Sequence, residues 1–421
     1  MSSSPRSVKG TRDLLPDLSE RFSRVETVAR ETFRCYGYRE IRTPILEPTE
    51  LFVRGVGESS DIVGKEMYTF DDKRGRSVTL RPENTAAVAR AFIEHGMAKL
   101  PQPVKLFYIG PQFRYERPQK GRYRQFHQIG AELLGDEGPW TDVELLLMLV
   151  RFLDRLGFED LVVRLNTVGN PESRSRYADV VRAHLEPHRQ ALSEDSQRRL
   201  ETNPLRILDT KIPAERELLE GLADLSASLS PECRSHFDAV CASLHEFDVP
   251  YAVDARLVRG LDYYTRTVFE ISSDALGAQD AILGGGRYDR LVSDLGGAEI
   301  PGIGFAIGED RLVELLEAPP EGKRPHLHIV PAGTGSAAAL QVCEVLRAHG
   351  LSCEAELGGR SVNAAFRRAG KAGASHFVVV GEEEWARGCV SFKNLDTGEQ
   401  QELTPQQITE QLGASPRVQR L

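Results

Sequence analysis

The chain has 421 residues, 40% hydrophobic and 27% charged, with a formal net charge of −9; this is an ordinary composition for two or three globular domains, each with its own core. The negative balance excludes indiscriminate coating of nucleic acid, although a local basic patch would still serve such a partner. Six cysteines (Cys35, Cys233, Cys241, Cys343, Cys353, Cys389) show no Cys-x-x-Cys spacing, so they read as reduced thiols of a cytoplasmic protein and argue against a zinc site; no apolar run approaches the ~20 residues of a membrane span.

Residues 1–6 carry no apolar core and are not expected to be a secretory signal. Residues 17–37 read as an amphipathic helix, because Phe22, Val25, Ala29, Phe33 and Tyr36 recur at three- and four-residue steps and Gly37 is placed to stop it. Residues 41–46 read as a strand running into a bend at Pro44. Residues 84–95 read as a short helix before Gly96. Thr141 to Glu144 has the spacing of a capping box ahead of an apolar helix that ends near Gly157. Residues 161–166 are a strand.

From residue 170 to about 248 strand character disappears. Charged helical stretches punctuated by Pro171, Pro187, Pro204, Pro213 and Pro231 replace it, which suggests a helical insertion. Strands return at residues 251–253 and 265–271. Gly284-Gly285-Gly286 reads as a turn. It and Gly302-Ile303-Gly304 lack the strand–turn–helix context of a dinucleotide fold. Residues 318–325 are polar and proline-rich, as a linker would be. Beyond lies a small α/β domain. Residues 327–330 and 377–380 read as buried parallel strands, residues 337–349 and 363–372 as helices, and residues 389–398 as a hairpin. Thr404-Pro405-Gln406-Gln407 reads as a helix start. This domain is nearly balanced in charge, with nine Lys and Arg against ten Asp and Glu.

One stretch departs from the chain's overall sign. Between Phe113 and Arg124 five basic residues face one acid, a footprint for phosphate. Two strand-like arms flank a loop punctuated by Pro118 and Gly121. By strand parity Arg114 shares a face with Glu116, and Arg124 shares one with Phe126, Gln128 and Glu132. Such a face suits a phosphate-bearing ligand with a flat base.

The run Arg114-Tyr115-Glu116-Arg117-Pro118-Gln119-Lys120-Gly121-Arg122-Tyr123-Arg124-Gln125-Phe126-His127-Gln128 resembles motif 2 of class II aminoacyl-tRNA synthetases, in the histidyl-tRNA synthetase version. Four further blocks resemble the same family in the expected order. They are Lys9-Gly10-Thr11-Arg12-Asp13-Leu14-Leu15-Pro16 at the start, Thr79-Leu80-Arg81-Pro82-Glu83 for the amino-acid loop, Leu257-Val258-Arg259-Gly260-Leu261-Asp262-Tyr263-Tyr264 for the histidine signature, and Gly302 to Leu312 for motif 3. Two positions depart from the pattern: Asn84 stands where Gly is common, and Asp310 where Glu is usual.

The resemblance implies an α+β fold: a class II antiparallel sheet with flanking helices, a helical insertion, and a C-terminal α/β anticodon-binding domain. The expected division is a catalytic domain over 1–319, with the insertion at about 170–248, a linker over 320–325, and the anticodon-binding domain over 326–421. Residues 41–46 resemble motif 1, which implies a homodimer. The implied activity is ligation of L-histidine to its tRNA, with ATP as substrate and Mg²⁺ on the nucleotide, and with neither membrane nor DNA as partner. The rival is a regulatory paralogue that senses histidine without charging tRNA. The retained arginines and the C-terminal domain argue against it. Arg259 through Tyr264 argues against another amino acid.

Activation joins a carboxylate to the α-phosphorus of ATP and expels pyrophosphate. The nucleophile is already ionised, so the need is to align two anions and stabilise transition-state charge. The planar, permanently charged guanidinium suits this. By resemblance, Arg114 meets the α-phosphate, Arg122 the outer phosphates, Arg311 holds ATP, Phe126 stacks on adenine and Glu116 holds the adenine edge or orders the nucleotide and its Mg²⁺. Arg259 stands between substrate carboxylate and α-phosphate; it and Arg114 are the expected catalytic pair. Imidazole offers one donor and one lone pair, so polar groups can read it. Glu132 and Tyr264 are expected on the ring, with Tyr263 and Tyr288 lining the pocket and Glu83, Thr85 and Gln128 near the α-amino group. Arg117, Gln119 and Lys120 are expected to meet the tRNA acceptor end. His127 has the opposite parity from Phe126 and reads as structural. No protein-held metal is expected.

Overall fold

The computed structural model describes residues 5–57, 60, 62–118, 121–222, 225–273, 281–316 and 326–413. Helix α1 (Pro16–Cys35) opens on proline and buries Phe22, Val25, Ala29 and Phe33, the stripe expected from their spacing. Short strands β1 (Arg39–Glu40) and β2 (Leu46–Pro48) follow, then α2 (Thr49–Val56), β3 (Tyr68–Asp71), β4 (Ser77–Leu80) and α3 (Thr85–Glu94). The long strands β5 (Val104–Phe113) and β6 (Gln125–Leu134) precede α4 (Pro139–Arg155) and β7 (Leu161–Thr167). Next come α5 (Pro171–Leu185), α6 (Glu194–Thr202), α7 (Pro213–Leu218) and α8 (Pro231–Glu246). The unit closes with β8 (Tyr251–Val253), β9 (Thr265–Ser273), β10 (Ala281–Arg287), α9 (Leu291–Asp294), β11 (Gly302–Gly308) and α10 (Glu309–Leu315).

Eight strands form one sheet in the order β1-β5-β6-β11-β10-β9-β7-β8. The six central strands run antiparallel to their neighbours, while β1 joins β5 and β8 joins β7 in parallel. Alternation divides the faces. Phe107, Ala131, Phe269 and Phe305 point to one side, where Phe33, Leu149 and Phe152 from α1 and α4 complete a core. Leu106, Tyr108 and Val268 point to the other, towards Val88, Tyr264 and Tyr288. That second face carries the candidate site.

Four local expectations change, the first being the strand over 41–46: residues 41–45 lie outside any strand and only Leu46 enters β2. Helix α4 starts at Pro139 with Gly138 as its N-cap, and no side chain caps it. Asp142 is instead fully buried and bonds Arg287 Nε at 2.7 Å and His236 Nε2 at 2.8 Å. The expected box does not close because Thr141 Oγ1 donates to Gly138 O at 2.8 Å and Glu144 pairs with Lys105 at 2.5 Å. Helix α8 falls within the expected insertion range, yet Val240 and Leu244 belong to the main core beside α4. The insertion's own small core is gathered from Tyr177, Val181, Leu200, Leu205, Leu219 and Leu225. Gly284-Gly285-Gly286 is no turn: all three lie inside β10, paired with β9 and β11.

Chain contacts divide the molecule into Met1–Glu317 and Ala318–Leu421; the expected linker lies outside the described residues. The second unit runs β12 (His326–Ala332), α11 (Gly335–Ala348), β13 (Ser352–Ala355), α12 (Val362–Lys371), β14 (His376–Gly381), α13 (Glu382–Ala386), β15 (Val390–Asn394), β16 (Gln400–Leu403) and α14 (Pro405–Gln411). Its sheet order is β13-β12-β14-β15-β16. Strand β12 pairs in parallel with β13 and β14, and β15 and β16 form the hairpin. Thr404 and Gln407 make a reciprocal capping box with Pro405 in the first turn.

Candidate active site

The second face of the sheet brings Phe126, Gln128 and Glu132 of β6 into line, as parity requires. Their cross-strand partners on β5 are Gln112, Gly110 and Leu106. The charged stretch before Phe126 behaves differently from a strand. Residues 114–118 carry no regular structure, so strand parity does not govern Arg114 and Glu116. Arg114 N donates to Arg124 O at 3.0 Å and closes the mouth of the hairpin. Its Nε donates to Pro82 O at 2.9 Å, and its guanidinium lies 5.3 Å from the Phe126 ring centroid. Glu116 pairs with Arg122 at 3.6 Å. Desolvation raises its pKa, and Glu66 nearby adds to the rise while Arg114 opposes it. Arg117 is exposed. Gln119 and Lys120 lie outside the described residues.

Glu132 is the centre of a buried polar knot. It is fully buried and accepts from Thr85 Oγ1 at 2.7 Å, from Tyr288 Oη at 2.5 Å and, at 3.4 Å, from Tyr108 Oη. Desolvation pushes its pKa up to about 8 against these donors. Glu83 accepts from the N–H groups of Thr85 and Ala86 at 2.7 and 3.0 Å. Burial still raises its pKa, more than those bonds and Arg114 lower it. The Tyr263 ring lies tilted against Tyr264, centroids 4.7 Å apart, and edge-on at 5.7 Å to Tyr288. Gln128 is buried with its Oε1 unpartnered among the described residues. An orphaned buried acceptor suits a ligand's hydrogen-bond donor.

Glycines make room for this knot. A Cβ at position 304 would collide with Glu132 Oε2 and with the Ala131 carbonyl. A Cβ at position 284 would stand 2.5 Å from Arg259 Nη1. The sheet is therefore bare where Arg259 lies across it. Arg259 pairs with Glu270 of β9.

The predicted arginines gather in two adjoining cavities. Arg114 and Arg259 line one of about 300 Å³, with Glu66, Arg199, Arg206 and Asp209. Arg122 and Arg311 line another of about 670 Å³, with Lys211, Arg216 and Glu270. Asp209 and Val258 line both. Four Arg in the first cavity, and five Arg with one Lys in the second, outnumber four carboxylates in all. This excess suits a polyanion. Among the described residues no group of three or more His, Cys, Asp or Glu could hold a metal ion alone. The neighbouring carboxylates of Glu66 and Glu116 do suit a cation shared with phosphate oxygens.

Sequence reasoning missed Tyr108, Glu66, Glu270 and the insertion's Arg199, Arg206 and Asp209. Tyr108 was open to discovery, because it shares parity with Leu106 and Gly110 opposite Glu132 and Gln128. The insertion residues carry no such signal, since only tertiary docking brings them to the cavity. His127 sits behind the site: its N–H donates to Asp310 Oδ2 at 2.7 Å and its ring meets Phe22 edge-on. Asp310 also bonds Arg12 at 2.8 Å.

Residues 10–312 match the family model described as histidyl-tRNA synthetase, and residues 326–414 match an anticodon binding domain. The chain is 49% identical over 400 residues to a protein named histidine–tRNA ligase from Nitratidesulfovibrio vulgaris strain DP4, covering 94% of this chain and 95% of that one. It is 49% identical over 414 residues to one of the same name from Koribacter versatilis, covering 94% and 93%. The crystal structure of an apo histidyl-tRNA synthetase from S. aureus superposes with a TM-score of 0.80 at 35% identity, covering 97% of this chain and all of the other.

Proposed function

The chain belongs to the histidyl-tRNA synthetase family, and from that premise we propose how its residues perform the reaction. It is an ATP-dependent histidine–tRNA ligase. It converts L-histidine and ATP to histidyl-adenylate and pyrophosphate, then transfers histidine to the 3′ end of its tRNA. The observation that carries the residue assignment is the position of Arg259. It shares a cavity with Arg114 and sits on the same short loop as Tyr263 and Tyr264 of the tyrosine pocket.

Arg259 bridges the histidine carboxylate and the α-phosphate, and Arg114 neutralises charge on the α-phosphate as it becomes five-coordinate. Glu132 and Tyr264 face the imidazole, and Tyr263 and Tyr288 wall it in. Glu83, Thr85 and Gln128 receive the α-amino group. Phe126 stacks on adenine, Arg311 packs against the nucleotide and Arg122 takes the outer phosphates. Mg²⁺ accompanies the nucleotide, with Glu116 and Glu66 the carboxylates that would hold it; when bound it neutralises phosphate charge. Arg117, Gln119 and Lys120 meet the acceptor end of the tRNA. The catalytic domain spans 1–319 and the anticodon-binding domain 326–421, joined by 320–325. The enzyme works as a cytoplasmic homodimer.

ATP–pyrophosphate exchange measured with each of the twenty amino acids tests the reading. Exchange is expected with histidine alone, and Arg259→Ala is expected to lower it on the order of 10³-fold, the loss typical of a transition-state charge contact. Exchange driven by another amino acid, or full activity in Arg259→Ala, would overturn it.

A further inference from the structure

The histidine-signature loop has no regular structure between Val258 and Tyr264, yet it carries Arg259 and both pocket tyrosines. Its shape must be imposed from outside. The insertion does this from helix α5 and the segment after α6. Arg174 Nη1 donates to the Asp262 and Tyr264 carbonyls, both at 2.9 Å. One guanidinium nitrogen thus ties the peptide units that bracket the Tyr263–Tyr264 pair and fixes the backbone that aims both rings. Asn203 Nδ2 donates to Asp262 Oδ1 at 2.9 Å, and Arg206 donates to the Gly260 carbonyl. From the opposite side a Cβ at position 57 would collide with Asp262, so little space is left for the loop to shift.

We propose that the helical insertion is the positioning element of the histidine pocket, with Arg174 as its principal residue. Arg174 acts through the loop and touches neither histidine nor ATP. A planar, permanently charged donor held by two carbonyls is stiff. The insertion thereby sets the affinity for histidine while leaving the nucleotide contacts of Arg114, Arg122 and Arg311 in place. The proposal rests on the assigned reaction.

The test compares full-length wild type, Arg174→Ala, Arg174→Lys and Asn203→Ala in pyrophosphate exchange, with histidine and ATP varied in turn. In parallel, hydrogen exchange is measured on peptides covering residues 257–264 and 125–134. Arg174→Ala is expected to raise KM for histidine about tenfold and lower kcat, with KM for ATP within about twofold, because misplacement of a positioning contact is felt by the group it positions. The loop peptide should exchange faster while the β6 peptide does not. Arg174→Lys, which keeps a cationic donor, should recover most of the affinity. Asn203→Ala should give a smaller shift in the same direction, and it serves if Arg174→Ala does not fold. Unchanged loop exchange and histidine KM, or equal losses for histidine and ATP, would overturn the proposal. Absence of exchange in wild type would instead indict the assigned reaction, while the hydrogen-exchange arm still decides the positioning role.

Discussion

Glu309, the first residue of α10, is fully buried with neither carboxyl oxygen hydrogen-bonded among the described residues. Burial pushes its pKa up to about 9, with Glu26 and Asp310 adding to the rise and Arg30 opposing it. The fold therefore holds Glu309 protonated at neutral pH. Its full contribution to stability is present below the unfolded value near 4.5. That contribution is lost as pH rises towards 9, because the unfolded chain releases the proton and the native one retains it. The slope approaches about 1.4 kcal/mol per pH unit inside that window. Glu309→Gln is expected to melt higher than wild type at pH 8 and alike at pH 5, which thermal unfolding at the two pH values measures. Nothing in the sequence around Glu309 announces this burial. A Glu in the first turn of a helix ordinarily faces water and favours the helix dipole. Glu132 was more legible, because strand parity put it on a face with Phe126 and Gln128, and the structure keeps all three on β6.

The strands follow the same division between what local pattern carries and what it does not. Period-two and period-3.6 patterns found β6, α1 and the α14 cap, since each depends on neighbours in sequence. The glycines of β10 were misread, because three in a row ordinarily mark a turn and only the sheet's assembly shows why side chains are excluded there. Gly284→Ala is expected to fold, since the atom it meets is the end of the flexible Arg259 side chain. It should lose roughly a hundredfold in histidine-dependent exchange through displacement of that guanidinium. Retained activity would mean Arg259 has room elsewhere. On the opposite face Arg287 of β10 is fully buried and donates to Asp142, Thr141 and the carbonyls of Asp136 and Gly138. Arg287→Ala leaves the buried Asp142 carboxylate with His236 as its remaining side-chain partner and should cost about 3 kcal/mol in denaturant unfolding. This pair joins residues 145 apart in the chain, a distance that no window of sequence spans.

At the scale of the whole molecule, the arginines assigned to activation and the Glu132 knot all lie in the unit Met1–Glu317. A chain ending at residue 317 is therefore expected to keep histidine-dependent exchange while losing tRNA charging by an order of magnitude or more, as removal of a recognition domain does. Charging assays on the two lengths measure the split. Family-wide motifs made the broad architecture readable. The membership of α8 was not, because its charged, proline-led sequence resembles the insertion helices while Val240 and Leu244 pack in the main core.

The bare floor under Arg259 and Glu132 has a practical corollary. The Arg259 and Glu132 side chains fill the space over those glycines, and any bulkier residue there evicts the enzyme's own machinery. Drug resistance would have to arise at the pocket's rim, and attempts to retrain the enzyme for a different amino acid would have to start there too.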